Sequence, residues 1–213
     1  MKIRNIILIL SIVICNSCIV KSLNPFYTEN SIEFNKNFLG TWTDNHNDTW
    51  EIISTKEEFL KGKEKISKED EAFLEKYRSS YITVYKENSK TSYFIATPFK
   101  IKNQYFLDFI PYNFEKKNIN SLLEDHIIYT HSLVKLDILK DGKINIKWFD
   151  EERLKKLFQE KRIKIQHRRT GIIEEDILLT ASSEELYTFL KKYMLTEEAE
   201  KWETEAKFTL TKS

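Results

Sequence analysis

The chain has 213 residues, and 34 Lys and Arg against 33 Asp and Glu give it a formal net charge of +1. This near-neutral balance gives no whole-chain argument for binding nucleic acid, and we expect no nucleic-acid partner. Aromatic residues make up 13% of the chain while Gly and Pro are scarce, which argues against disorder because aromatic burial offsets the entropy cost of ordering. The length suits one domain, or one domain with an appended subdomain.

The N-terminus has the pattern of an export signal. Lys2 and Arg4 precede an apolar run over residues 6–14. This run is too short to span a bilayer, which needs about 20 apolar residues. Small Ser17 then stands directly before Cys18, as a signal peptidase requires.

This segment resembles a bacterial lipoprotein signal with its lipobox. The resemblance implies cleavage before Cys18, which then carries acyl chains and anchors the protein to a membrane. The family prefers Leu and a small residue where this chain has Cys15 and Asn16, which leaves open ordinary cleavage after Ser17 and a secreted protein. Lipidation explains an otherwise free thiol, because cleavage before Cys18 leaves a single cysteine and no intramolecular disulfide.

The signal divides the chain into three parts. We predict a signal peptide over residues 1–17, a lipidated cysteine with a tether over 18–37, and a single β-rich domain with helical insertions over 38–213. A strand packed on the domain is the alternative for residues 32–38. Ile19 stands where an Asp signals inner-membrane retention in some bacteria, so the resemblance implies the outer membrane of the cell envelope.

The domain opens with a predicted hairpin. Residues 38–42 and 50–53 flank an Asn- and Asp-rich turn at 44–48. The run Gly40-Thr41-Trp42 is similar to the Gly-x-Trp signature of lipocalin-like barrels. That resemblance implies that Trp42 plugs the closed end of a barrel.

A helix and a β-meander follow. Ser67 and the acids after it are typical of a helix N-terminus, and Phe73, Leu74 and Tyr77 then form one apolar face. The helix is either a lid over a cavity or a cover on a sheet, and the cover is the interpretation we favour. Residues 81–110 then alternate as three antiparallel strands joined by tight turns.

The second half continues the pattern. Asp141-Gly142 predicts a hairpin between residues 127–139 and 144–148. Asp150 and Ser182 each begin a predicted helix, strands are predicted at 163–167 and 177–180, and residues 206–211 alternate as a closing strand. The fold class is therefore mainly β (α+β), an antiparallel meander curled into a barrel or half-barrel with three or four peripheral helices.

The meander, together with residues 179–186, resembles uncharacterised bacterial envelope lipoproteins. This resemblance covers most of the chain and implies no activity. With four glycines there is no phosphate-cradling loop and no dinucleotide fingerprint, so no cofactor is expected.

The candidate chemistry is limited. Asp108 lies inside an apolar strand, where a carboxylate must be paired or shifted in pKa, and a buried partnership with Arg or Lys is the expected role. The spacing of the four histidines, His46, His126, His131 and His167, does not suit a metal site, and none is predicted. Ser182 near a histidine could act as a nucleophile, but helix capping already accounts for it.

The leading hypothesis is a non-enzymatic, lipid-anchored envelope protein that binds an apolar small ligand or a partner protein. The candidate ligand-binding residues are Trp42, Tyr85, Tyr105 and Asp108, while catalytic residues stay unassigned. Two alternatives remain open. One is an envelope hydrolase acting on lipid or glycan, which requires Asp108, a histidine and Ser182 in one cleft. The other is a structural scaffold, which has no internal cavity.

Overall fold

A computed structural model describes residues 19–63, 65–112, 122, 125–196 and 201–213. The signal peptide, Cys18 and most of the loop at 112–125 therefore lie outside the described residues. The strands are β1 (Lys21–Ser22), β2 (Gly40–Thr43), β3 (Thr49–Ser54), β4 (Tyr81–Glu87), β5 (Lys90–Ile101), β6 (Gln104–Pro111), β7 (His131–Ile138), β8 (Ile144–Trp148), β9 (His167–Thr170), β10 (Asp176–Leu179) and β11 (Lys207–Lys212). The helices are α1 (Thr55–Leu60), α2 (Lys68–Tyr77), α3 (Glu151–Gln159) and α4 (Ser183–Leu195).

Eight of these strands close into an antiparallel barrel. The order is β2-β3-β4-β5-β6-β7-β8-β11, and β11 pairs with both β8 and β2 to complete the circle. Within the described residues, four helices lie around the barrel. The predicted mainly-β fold, a curled antiparallel meander with peripheral helices, is confirmed in its closed form.

Strand alternation gives the barrel wall two apolar faces. On β6, Leu107 and Phe109 belong to the cluster inside the barrel, whereas Phe106 belongs to the cluster outside it. Both faces must be covered, because neither can be left to water over such lengths. The interior cluster is formed by Phe38, Trp42, Trp50, Tyr81, Ala96, Leu107, Phe109, Val134, Leu136, Ile144, Ile146, Trp148 and Leu210.

One end of the barrel is closed by the chain just before β2. Asn35 begins the 3₁₀ turn Lys36–Phe38, and its backbone N–H donates to the Tyr81 hydroxyl over 2.8 Å. Phe38 is buried and packs edge-on against Tyr81 and Tyr105, at ring-centre distances of 6.2 and 5.2 Å. The turn therefore covers the end at which β2, β4 and β6 begin.

The opposite end is filled by aromatic side chains. Trp50 packs against Tyr85 with ring centres 4.3 Å apart and ring planes tilted by 31°, and Phe208 lies edge-on to both Trp50 and Trp148 at 5.3 and 5.8 Å. Offset and edge-on contacts of this kind stabilise a core beyond the area they bury. Both ends of the barrel are thus closed by aromatic packing.

Residues 19–37, for which the sequence predicts a tether, are part of the folded domain. β1 pairs antiparallel with β7 and parallel with β10, and Val20 and Phe26 are fully buried. Ile32 forms an isolated bridge to Phe99 in place of the alternative strand at 32–38. The tether prediction is wrong for these residues, because β1 is too short to show periodicity and its burial depends on distant partners.

Two outer layers cover the barrel wall. The strands β1, β10 and β9 extend from β7 as a side sheet, and α3 and α4 pack beside it around Phe106, Leu133 and Phe149. On another part of the wall, α2 packs Phe73 and Tyr77 over outward-facing apolar residues of β4 and β5. Helix α2 therefore covers a sheet, which is the interpretation that the sequence favoured.

The local predictions have mixed outcomes. Ser67, Asp150 and Ser182 each accept a backbone N–H from the third helical residue, so the predicted helix starts are confirmed. The predicted strand at 163–167 is wrong, since β9 begins only at His167 and residues 162–166, which lead into it, form no strand. Helix α1 was not predicted from the sequence. Among the described residues, no helix is long and apolar enough to cross a bilayer.

Candidate functional site

The barrel interior is almost completely filled. Its cavity has a volume of about 20 Å³ and is bordered by Trp50, Tyr81, Thr83, Leu107 and other inward-facing side chains. A water molecule needs roughly 10–15 Å³ of such space. An apolar ligand of ordinary size therefore cannot enter unless these side chains move.

Trp42, a predicted ligand-binding residue, is buried in the barrel interior. Its indole Nε1 donates to the backbone carbonyl of Phe38 over 2.9 Å. The Nζ of Lys212, on the closing strand, lies 5.4 Å from the centre of the Trp42 ring. Through these contacts Trp42 stabilises the covered end of the barrel, and its ring is not available to a ligand.

The two predicted tyrosines also belong to the interior cluster. The Tyr85 hydroxyl donates to Asp48 Oδ2 over 3.3 Å, and burial, followed by the nearby Asp48 charge, raises the pKa of Tyr85. The Tyr105 hydroxyl accepts from Asn35 Nδ2 over 3.4 Å, and Lys100 Nζ lies 4.2 Å from the Tyr105 ring centre. The structure thus brings Trp42, Tyr85 and Tyr105 into one aromatic core.

Asp108 lies on the opposite face of the wall from those three. Its Oδ1 is 2.5 Å from His131 Nδ1, and its Oδ2 accepts the backbone N–H of Phe26 over 2.8 Å. Burial raises the pKa of Asp108, while the hydrogen bonds from His131 and Phe26 oppose that rise. The expected buried pairing is found, but the partner is a histidine rather than an Arg or Lys.

The side chains required for a hydrolase do not share a cleft. Asp108 and His131 are only 1% and 5% exposed, and neither borders a cavity described here. Ser182 is exposed at the start of α4, where its hydroxyl donates to Glu185 Oε2 over 2.9 Å. A buried pair and an exposed capping serine do not form a reaction centre.

The other histidines have separate local roles. His46 lies edge-on to Phe208 with ring centres 5.8 Å apart. His167 stacks on Phe158 at 4.1 Å, and the Nδ1 of His126 lies 2.7 Å from the carbonyl of Leu122. Across the part of the chain that the structure describes, no three His, Cys, Asp or Glu side chains are grouped to hold a metal ion.

A much larger space lies outside the barrel. A groove of about 830 Å³ runs between α4 and residues 162–166. Ile163, Ile165 and Phe189 are half-buried along it, while Tyr193 and Leu157 are buried beneath them. We call this space the α4 groove. Its floor is apolar and its size is that of a binding site for a small molecule or a peptide segment.

The rim of the α4 groove is charged with both signs. Arg162 and Lys164 are exposed on the extended segment, and Glu184 and Lys192 are exposed on α4. Residues 162–166 alternate between exposed and half-buried side chains, as an extended strand does. Neither Ile163 nor Lys164 donates its backbone N–H to another described residue, so this segment offers unpaired backbone groups.

Sequence reasoning missed the α4 groove. The sequence predicts a helix from Ser182 and a strand at 163–167, and neither prediction places a groove between the two. One sequence feature could have indicated the groove. Apolar and polar residues alternate at 163–165, but no neighbouring segment shows an alternating pattern that would pair with it. Because the groove joins a helix to a segment some twenty residues away, no local spacing marks it.

Comparison of the chain with protein-family models, with curated proteins and with solved structures found no match. The fold alone defines the class, a closed antiparallel β-barrel that is compatible with a ligand-binding protein.

Proposed function

We propose that this chain is a lipid-anchored cell-envelope protein that binds a partner protein and catalyses no reaction. Export and anchoring are supported by the cations Lys2 and Arg4, the short apolar run after them and the placement of Cys18. The absence of an Asp after Cys18 favours the outer membrane, as the lipoprotein resemblance implies.

The observation that carries the binding function is the contrast between the two cavities. The barrel interior holds about 20 Å³, whereas the α4 groove outside it holds about 830 Å³. An apolar small ligand inside the barrel is therefore the weaker candidate. Binding takes place on the outer surface, in the α4 groove.

The character of the groove favours a polypeptide segment as its occupant. Ile163 and Ile165 present apolar side chains at every second position. The backbone N–H groups of Ile163 and Lys164 make no backbone hydrogen bond to a described residue, and in an extended segment they point to opposite sides, so one of the two can pair with an added strand. Charges of both signs stand on the rim, which matches a mixed polypeptide better than a fatty acid with one charged group. The partner adds an extended strand beside residues 162–166.

Native mass spectrometry of the protein extracted from its own membranes tests this function. We expect extra mass in the range of a polypeptide, lost on denaturation. Thr188→Trp fills the groove from an exposed position on α4 and abolishes the extra mass. Lys191→Trp, exposed on the same helix away from the groove, retains it.

Other outcomes are equally informative. Extra mass of a few hundred daltons that Thr188→Trp removes would replace the protein partner with an apolar small ligand. A bare chain, or a complex that both variants retain, would contradict binding in the α4 groove.

A further inference from the structure

Two isoleucines stand fully in water at the tip of the β9–β10 hairpin. Ile172 and Ile173 are 101% and 81% exposed, so no described residue covers them. Single exposed apolar residues are normal on a protein surface, but two adjacent isoleucines at this exposure are costly unless something else buries them.

The turn that presents them is ordered by specific contacts. Glu175 Oε2 accepts the backbone N–H of Ile173 over 3.0 Å, and Arg169 donates to the Glu174 carbonyl over 3.5 Å. Gly171 has φ +90°, and a Cβ at that position would lie 2.5 Å from the Glu175 carboxylate. These contacts fix the conformation of the turn, and the turn holds the two isoleucines at the tip.

The strand register places this tip at the end of the sheet where the first described residue, Ile19, lies. β1 and β10 are parallel, with Lys21 opposite Leu178. Parallel strands begin at the same end of a sheet, so Ile19 and the tip before Asp176 point the same way. Lys21 Nζ reaches Asp176 Oδ2 at 3.4 Å across this end.

We propose that Ile172 and Ile173 insert into the lipid surface beside the N-terminal anchor. This inference rests on the proposed function, because Cys18 stands one residue before Ile19 and its acyl chains would hold this end at the bilayer. Two apolar side chains bind a membrane weakly by themselves. They act here as a second membrane contact, because the acyl chains on Cys18 keep the two side chains close to the bilayer and so raise their local concentration there.

Charge does not drive this contact. Arg168 and Arg169 are exposed on β9, but Glu174 and Glu175 follow on the same hairpin and balance them. The lipid contact is therefore apolar and depends little on anionic headgroups. It also fixes an orientation, since residues 162–166 precede β9 at the end of the sheet away from the tip, which leaves the α4 groove clear of the membrane.

The test uses an environment-sensitive dye on a single thiol. Ile172→Cys is labelled with a nitrobenzoxadiazole dye in the lipidated protein, bound to vesicles of phosphatidylethanolamine and phosphatidylglycerol. We expect a severalfold rise and a blue shift in emission when vesicles are added, and quenching by nitroxide-labelled lipids. The matched control is Ser89→Cys, an exposed position in the β4–β5 turn at the other end of the strands, and its emission stays aqueous.

A second arm separates this inference from lipidation. The chain beginning at Ile19 carries a hexahistidine tag in place of residues 1–18 and binds vesicles containing a nickel-chelating lipid. The intact mass of the cell-made protein reports whether Cys18 is acylated. In both arms, flotation in a density gradient shows that the protein is bound to the vesicles. If the dye at Ile172→Cys then emits as it does in water in both arms, the insertion of the tip is overturned, even where Cys18 is acylated. A membrane spectrum in the tagged arm supports insertion even where Cys18 is not.

Discussion

Asp108 and His131 lie on adjacent strands of the barrel's outer wall, with Oδ1 and Nδ1 2.5 Å apart. The second carboxylate oxygen of Asp108 accepts the N–H of Phe26, which lies 82 residues earlier in the chain. One buried side chain thus joins β6, β7 and the N-terminal segment. This arrangement makes Asp108 a structural centre of the domain.

Replacing Asp108 is expected to weaken the fold. Asp108→Asn keeps the shape but puts an amide NH2 where one carboxyl oxygen contacts His131 or the Phe26 N–H, so we expect the free energy of unfolding to fall by about 1–3 kcal/mol. Urea titration monitored by tryptophan fluorescence measures this change. Asp137→Asn removes a more exposed partner of Lys135 and should cost less than about 1 kcal/mol. Equal losses in the two variants would contradict the central role of Asp108.

The effect of Asp108 on stability should depend on pH. Because burial raises its pKa, the folded protein holds this proton more tightly than the unfolded chain, whose Asp pKa is about 3.9. The resulting stability is fully present below the unfolded pKa and is lost as pH rises through the folded pKa. We therefore expect the stability difference between the wild type and Asp108→Asn to narrow as pH rises above about 4. Urea midpoints for both proteins over a pH series measure the difference, and a widening gap would be the wrong sign.

The filled barrel interior predicts a large cost for a new cavity. Leu107 is 5% exposed and borders the small internal space, so Leu107→Ala should lower the free energy of unfolding by about 2–5 kcal/mol. Leu195→Ala, at a position 65% exposed, should change it by no more than about 0.5 kcal/mol. Chemical denaturation of both variants gives the comparison. A small loss at Leu107 would mean that the interior is looser than its packing indicates.

The barrel itself was predictable, because its strands are long enough to show alternation. The sequence of β6 shows by its alternation that Leu107 and Phe109 lie on one face and Phe106 on the other. The burial of Val20 and Phe26 in the core could not be predicted in this way. A strand of two residues has no period, and the burial of Phe26 depends on a hydrogen bond to Asp108 that no local pattern contains.

The Lys212–Trp42 contact should contribute to stability through charge. A cation over an indole face is worth about 0.5–1 kcal/mol at an exposed site, and Lys212→Met should cost that amount. Lys212→Arg keeps the cation and should cost less. Thermal unfolding of the two variants measures the difference. Identical losses would show that the Lys212 stem, rather than its charge, supports Trp42.

The turn between β2 and β3 should depend on Asp44. Its side chain accepts the N–H groups of His46 and Asp48 and the indole Nε1 of Trp50, over 2.8 to 3.0 Å, and Asp44 is 5% exposed. Asp44→Ala leaves these donors unpaired and should cost about 1–3 kcal/mol. Asp141→Ala, in the exposed β7–β8 turn, serves as the control.

Denaturant midpoints of the two alanine variants decide the point. The Asp141 variant should lose much less stability than the Asp44 variant, because water replaces the bonds that its exposed side chain made. If Asp44→Ala behaved like Asp141→Ala, the indole bond of Trp50 would contribute little to the barrel end.

The candidate site was less predictable than the fold. Aromatic side chains such as those of Trp42, Tyr85 and Tyr105 line ligand cavities in some proteins and fill cores in others, and the sequence does not separate the two uses. The sequence predicts that Asp108 is buried and paired. It does not identify the partner, because His131 lies 23 residues later and no local spacing connects the two. The α4 groove depends on how α4 packs relative to residues 162–166, which form no strand, and this packing is a property of the tertiary structure.

β11, the last of the described strands, is also the one that closes the barrel. Until β11 is made, β2 and β8 each present an unpaired edge, which is a template for pairing with other chains. Closure joins residues that are far apart in sequence, a class of contact that forms slowly because the intervening loop must be ordered first. β11 must therefore be made before the barrel can close. A chain that lacks β11 leaves the barrel open, with the edges of β2 and β8 exposed to pairing with other chains.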